Sequence, residues 1–293
     1  MNTLPLEHVP TSAPQPRTRA FYIPEKLTPL AFTSIYRELT PEQRLRYNQL
    51  SGLYFLEQTI FFEQCMGGPV LKWLQRNAPA PLRHQAAEFE VEENRHTSWF
   101  RALLREVEPR WYADDSLKFV RPSRVAGAAL QFCNVRPHLF PCLLWLQLIA
   151  EERAQYFSGT FLASADELDP RFLEIQRKHL ADEGGHIRWD VAFVEWLWPS
   201  VLLPVRIANA RLLQFSMREF FYLPKRSGWN VIERLMVEFP ELAVRQADLR
   251  AAMHSLGTNE AYLRTLYPHC VFPKTRHLAS RWPELGFLGT FFT

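Results

Sequence analysis

Glu92-Glu93-Asn94-Arg95-His96 and Asp182-Glu183-Gly184-Gly185-His186 are the two stretches on which the reading of this chain turns. Each sets Glu-x-x-His inside a long segment whose apolar residues recur at three- and four-residue spacing, the period of a helix. At 100° per residue, the carboxylate and imidazole of each motif share one helix face one turn apart, where they can hold the same ion or neighbouring ions. A single such motif is a weak signal, because most occurrences lie on solvated faces. Two motifs on separate long helices carry far more weight.

Outward from these motifs the chain reads as helical throughout. Thr40-Pro41-Glu42-Gln43 is a strong start, with Thr as cap, Pro in the first turn and Gln placed to complete a capping box. That helix should run to the Gly67-Gly68-Pro69 break and resume for two turns. After the Asn77-Ala78-Pro79-Ala80-Pro81 linker a second helix carries the first motif past Phe100. A helix from Ser123 leads to Pro137, a third long helix covers about 140–162, and Pro170 opens a fourth that carries the second motif and ends at Trp198-Pro199. Further helices are expected at about 201–222, 228–253 and 258–267. Residues 1–25, rich in Pro, Thr and Ser, read as an arm without a core pattern, leaving 26–293 as a single helical domain.

Each motif helix is preceded by a long helix with a glutamate in apolar surroundings. On the first, Leu50, Leu53, Ile60 and Phe61 define an apolar face, and Glu57 projects near its centre. A lone buried carboxylate costs several kcal/mol unless protonated, paired or bound to a cation. Glu63 competes for the same role but projects toward the edge of that face, so Glu57 is preferred. On the third helix the apolar run Leu144–Ala150 ends in Glu151-Glu152. Glu152 lies 31 residues before Glu183, which suits antiparallel helices folded about a turn near 163–170, so Glu152 is preferred; Glu151 is then a supporting group or an exposed charge. Glu57, Glu93, His96, Glu152, Glu183 and His186 together follow the ligand plan of di-iron carboxylate bundles, and the expected fold is all-α: a ferritin-like four-helix bundle with additional C-terminal helices. Carboxylate with imidazole suits iron or manganese better than calcium or an all-sulfur site.

Composition narrows the alternatives. With 293 residues, 47% of them hydrophobic, the chain can bury a large core without disulfides. A net charge of +3 without a basic stripe gives no nucleic-acid footprint. Cys65, Cys133, Cys142 and Cys270 lack CxxC pairing and suit reduced thiols in the cytoplasm. The N-terminus lacks a secretory pattern, and Leu139–Ala150 is too short to span a bilayer.

The segments Glu92–His96, Glu152-Arg153-Ala154 and Ala181–His186 are similar to the ligand segments of soluble acyl-carrier-protein desaturases. More closely, the chain over about residues 45–190 resembles the p-aminobenzoate N-oxygenase family, di-iron enzymes that oxidise amines to hydroxylamine, nitroso and nitro products. The resemblance rests on His179, four residues before Glu183 and seven before His186, which in that family is a third imidazole ligand. It implies a ligand set of Glu57, Glu93, His96, Glu152, His179, Glu183 and His186, two iron ions, dioxygen, an external electron donor, a small-molecule amine substrate and a homodimer. Asp182 and Asp190 are candidates to hold ring N–H groups, Tyr156 to line the site, and Arg95, Arg153 and Arg188 to meet a substrate carboxylate. Phe61, Phe62, Trp99, Trp145, Phe157 and Trp189 are candidate pocket aromatics. A hydroxylase or desaturase acting on carbon, and an iron-storage protein, are the competing expectations.

Overall fold

The structure, a computed structural model, describes residues 19–219, 226–266, 268 and 270–291. A short α1 (Ser34–Glu38) leads to Thr40, where the capping box closes: Gln43 N–H donates to Thr40 Oγ1 at 3.2 Å and Thr40 N–H donates to Gln43 Oε1 at 3.0 Å. α2 (Pro41–Ile60) runs from that cap. It does not stop at the glycines but widens into a π-helical turn, Phe61–Gly67, and continues as α3 (Gly68–Asn77). Pro69 has no N–H to offer Cys65, and the freed Cys65 carbonyl accepts instead from Asn134 Nδ2 at 2.6 Å.

α4 (Ala80–Val107) folds back along α3 and α2, tied by Gln75 to Glu90 (2.6 Å) near the turn and by Arg101 to Gln64 (2.7 Å) further along. α5 (Arg124–Asn134) packs on the π turn. α6 (Cys142–Leu162) and α7 (Pro170–Leu197) form a second antiparallel hairpin, held by Ser158 Oγ donating to Gln176 Oε1 at 2.9 Å. Asp169 caps α7 by accepting from Arg171 N–H. α4 packs against α7, so the two hairpins form a four-helix unit with the motif-bearing helices side by side. Among the described residues there is no strand, only an isolated bridge between Phe21 and Leu168.

The remaining helices are α8 (Leu203–Met217), α9 (Ser227–Glu238), α10 (Gln246–Ser255), α11 (Glu260–Leu266), α12 (Pro273–Ala279) and α13 (Leu288–Phe291). The single helix expected over 228–253 is two, because Pro240 cannot donate into α9 and a 3-10 turn, Pro240–Arg245, intervenes. α12 was absent from the sequence reading altogether. α9 docks on α2 through buried Arg46, whose guanidinium donates to both Glu238 oxygens at 2.8 and 2.9 Å and also meets Glu108 at 2.9 Å.

Residues 1–18 of the expected arm lie outside the described residues. Its last turn packs closely: Tyr22 stacks on Phe172 at 4.2 Å, and Asn48 Oδ1 accepts from the N–H groups of Tyr22 and Ile23. None of the described helices is long and apolar enough to cross a membrane.

Candidate metal centre

Seven side chains from the four long helices converge between the hairpins. Glu63, His96 and His179 form one group, Glu93, His96 and His186 a second, and Glu151, Glu183 and His186 a third; within each, one donor atom per residue lies within 4.8 Å of the others. His96 and His186 belong to two groups each, so the three merge into one cluster. All seven residues are buried. His179 Nε2 lies 2.8 Å from Glu183 Oε1 and 3.3 Å from Glu63 Oε1, placing the third imidazole inside the cluster.

Glu57 and Glu152, expected as ligands, lie outside this cluster. Glu57 accepts four hydrogen bonds at 2.7–2.9 Å, from the Tyr112 hydroxyl and from the backbone N–H groups of Lys118, Phe119 and Val120. It anchors the loop after α4. Glu63 replaces it because the π turn advances the chain by an extra residue and rotates Glu63 inward, off the edge position that a regular α-helix gives it. Glu152 accepts from the N–H groups of Lys274 (2.7 Å) and Thr275 (3.0 Å) and so caps α12. Glu151, one position earlier, faces α7. The apolar surroundings of α6 could not separate the two, since both carboxylates are buried, on different sides.

The two motif helices brace each other. His96 Nε2 meets Asp182 Oδ2 at 2.9 Å, and His186 Nε2 meets Glu92 Oε2 at 3.0 Å. In each motif the acid just before the glutamate thus holds the imidazole of the opposite helix, fixes its tautomer and turns its Nδ1 into the cluster. The Nδ1 atom of His186 accordingly lies 3.2 Å from Glu93 and 3.5 Å from Glu151. Asp182 thus lies at the ring nitrogen of His96, whereas both buried carboxylate oxygens of Asp190 have no hydrogen-bond partner among the described residues. Tyr156 packs at the core margin beside Phe157 and shares no hydrogen bond with the cluster. Glu92 is the supporting residue that the sequence reading missed, although its match to Asp182 one position before each Glu-x-x-His was visible. Thr97 Oγ1 donates to Glu63 Oε2 at 3.0 Å and sets that carboxylate's rotation.

Aromatic rings close the imidazole side: Phe89 stacks on His186 at 4.1 Å, Phe100 meets His179 edge-on at 5.2 Å, and Trp99 lies 5.5 Å from His96. The carboxylate side is open to a narrow cleft lined by Glu63, Glu93 and Glu151.

The donor chemistry fits divalent cations. Glu93 Oε1, His96 Nδ1, His186 Nδ1 and both Glu183 oxygens are buried and, although His179 lies 2.8 Å from Glu183 and His186 3.2 Å from Glu93, none of these atoms makes a hydrogen bond of proper geometry among the described residues, an arrangement costly for an apo core and natural for ligand atoms. Four carboxylates with three neutral imidazoles balance the charge of two divalent ions. Without cations, burial pushes the Glu63 carboxyl up to about 8. Burial and then the neighbouring carboxylates Glu63 and Glu151 raise Glu93 well above its usual range, and burial and then Glu151 do the same to Glu183. Burial, with His96 nearby, lowers His179 to about 3 and keeps it neutral, as a metal ligand must be. At His186 burial acts downward, but Glu151 and Glu93 outweigh it and raise the imidazole.

Fold and site together define a ferritin-like helical bundle with a carboxylate- and histidine-rich centre between its helices. Residues 5–268 match the family model described as P-aminobenzoate N-oxygenase AurF, and the chain belongs to that family. The family is one of di-iron oxygenases, which makes this chain an oxidoreductase of the oxygenase type. No curated protein matches the chain.

Proposed function

We propose that this chain is a di-iron, dioxygen-dependent N-oxygenase that converts an amine to its hydroxylamine and more oxidised nitroso or nitro products. The observation that carries the reading is His179, which joins Glu63 and Glu183 as a third imidazole at the buried cluster. The ligand set would be Glu63, Glu93, His96, Glu151, His179, Glu183 and His186. Two iron ions held there supply the redox chemistry with dioxygen. In the first oxidation one oxygen atom enters an N–H bond and the other leaves as water, with two electrons from an external donor and two protons.

The protein's own contribution is positional. Asp182 and Glu92 hold the His96 and His186 rings so that their Nδ1 lone pairs face inward. Phe89, Phe100 and Trp99 keep water from the imidazole side, so reacting groups approach through the carboxylate-lined cleft.

The test is iron-loaded, anaerobically reduced protein mixed with oxygen in the presence of a panel of arylamines and aliphatic amines, with products read by mass spectrometry. N-oxygenated products are expected from the wild type, and a loss on the order of 100-fold from a folded His179→Ala variant. Two bound irons with oxygenation only at carbon, or oxygen uptake without organic product, would overturn the reading in favour of a hydroxylase or an iron-storage protein.

A further inference from the structure

α5 buries little of itself in the bundle. Of its residues only Asn134 is fully buried, and that side chain is engaged with the Cys65 carbonyl of the π turn at 2.6 Å. Val125, Ala128, Ala129 and Phe132 recur at three- and four-residue spacing, and with Val135 and Leu139 just beyond the helix they make an outward apolar face. Val125 is 81% exposed and Phe132 51%. Contiguous exposed apolar surface of this kind marks an interaction site.

The charge around this face has one sign. From Ser116 to Ala150 the chain has no Asp or Glu, while Lys118, Arg121, Arg124 and Arg136 all fall in that span. Arg121 and Arg124 are exposed, and Arg136 lies over the Phe132 ring at 4.1 Å. None of these three arginines forms an ion pair among the described residues; Arg121 donates to the Leu117 carbonyl and Arg136 to that of Phe132. The acids just before the span are already matched, Asp114 by Lys118 at 3.0 Å and Asp115 by Arg105 at 2.6 Å. The face therefore complements an acidic partner with an apolar centre. A second copy of the chain, joined by a twofold contact, would set these arginines against one another with no acid to meet them.

Its place beside the cluster indicates what such a partner brings. α5 packs on the π turn that carries Glu63, so its outer face is separated from that turn by one helix, about 10–12 Å thick. The cleft beside Glu63 is narrow, with room for a single water. Electrons cross a packed helix without a channel, whereas a substrate tethered to a carrier protein needs one.

Resting on the di-iron oxygenase reading, which requires two electrons per oxidation from outside, we infer that the outer face of α5 is the docking surface of an acidic one-electron carrier protein of the ferredoxin or flavodoxin kind. Two encounters complete the reduction: each takes one ferric ion to ferrous and leaves one carrier oxidised by one electron. Arg121, Arg124 and Arg136 steer the carrier in, and Val125, Phe132 and Leu139 form the water-excluding contact.

The experiment uses the oxidised, iron-loaded full chain under anaerobic conditions with three reduced carriers: a plant-type two-iron ferredoxin, a bacterial four-iron ferredoxin and a flavodoxin. Stopped-flow absorbance reads the second-order rate of iron reduction, with dithionite as a small reductant that needs no docking. At least one carrier should reduce the wild type at a rate that falls steeply with salt. Arg121→Glu with Arg124→Glu should slow that rate on the order of 10–100-fold and leave the dithionite rate, iron content and Tm unchanged. The same change in net charge at two exposed arginines elsewhere, Arg83→Glu with Arg211→Glu, should leave the rate within about twofold, because distant charges are screened. Calorimetry with metal-free protein should show the same loss of carrier binding in the α5 variant, which reads the surface independently of iron. The inference is overturned if no carrier distinguishes the α5 variant from the control variant, or if an acidic acyl-carrier protein without a redox centre binds the face as tightly. It is equally overturned if Phe132→Glu converts a dimer to a monomer in sedimentation, or if anionic phosphatidylglycerol vesicles retain the wild type and release the α5 variant. Amine oxidation is assayed separately on dithionite-reduced protein, so failure of the docking surface and failure of the N-oxygenase reading are told apart.

Discussion

Removing Glu57 and Glu63 in turn separates a structural carboxylate from a proposed ligand. In Glu57→Ala the Tyr112 hydroxyl and the N–H groups of Lys118, Phe119 and Val120 lose their acceptor. Tyr112 and Phe119 are each only 2% exposed, so water can replace the carboxylate at some of these donors but not all. At about 1–3 kcal/mol per unmet buried donor, with partial rehydration, the loss should be about 3–5 kcal/mol. For a chain of this size, at about 2.1 cal/mol/K of unfolding entropy per residue, that lowers Tm by about 5–8 °C. The iron content of the folded fraction should stay at the wild-type value. Glu63→Ala inverts the pattern: metal-free protein loses a buried carboxyl that burial already holds protonated, so its Tm should be unchanged or higher, while iron falls below two per chain. Paired thermal melts of metal-free protein and iron assays of loaded protein decide the matter. A Glu57→Ala variant of normal metal-free stability that cannot hold iron would refute this assignment of the two residues.

Three further outcomes follow from the same geometry. Because Glu63 has its carboxyl at about 8 in the metal-free fold against an ordinary 4.5, the fold holds a proton that the unfolded chain releases, so metal-free stability should fall as pH rises from 4.5 to about 8; metal loading, which needs the carboxylate, should release protons at pH 7, read by calorimetry in buffers of different ionisation enthalpy. Asp182→Asn and Glu92→Gln should each weaken metal affinity about 10–100-fold with little change in metal-free Tm, since each removes the group that orients an imidazole; competition with a chelator measures it. Glu152→Ala should cost about 1–3 kcal/mol and expose the segment around α12 to limited proteolysis without changing iron content, because its partners are the Lys274 and Thr275 N–H groups.

What was legible in the sequence was what local spacing encodes. The helices and the capping box at Thr40 follow from short-range pattern, and so does the sharing of one face by Glu93 and His96, or by His179, Glu183 and His186. Glu63 was hidden because a π turn has no clear residue signature, and a constant 100° per residue then assigns the wrong face; Gly67-Gly68-Pro69 at its end was the available hint. Glu152 misled because its partner lies about 120 residues away on a seven-residue helix too short to recognise from pattern. Glu57 misled for the same kind of reason, since its partners are backbone N–H groups of a loop that no side-chain pattern announces.

The centre has two unlike sides, and the difference explains where a substrate can enter. Each imidazole is a rigid ring wedged by an aromatic neighbour, and two of the three are also pinned at the outer nitrogen by an acid from the opposite helix, so that side cannot open without breaking packed contacts. The glutamates are longer and turn about more bonds, so a carboxylate can shift while its helix stays in place. They also face the π-helical stretch Phe61–Gly67, where the helical ladder is widened: around Gly67 an added Cβ would find Phe62 O at 3.5 Å and the Gln147 amide at 3.9 Å. The π turn therefore does two things at once. It rotates Glu63 into the cluster and spreads the backbone beside it, so that ligand placement and the opening of the cleft depend on one local irregularity, and a change that restored regular helix there should remove both together.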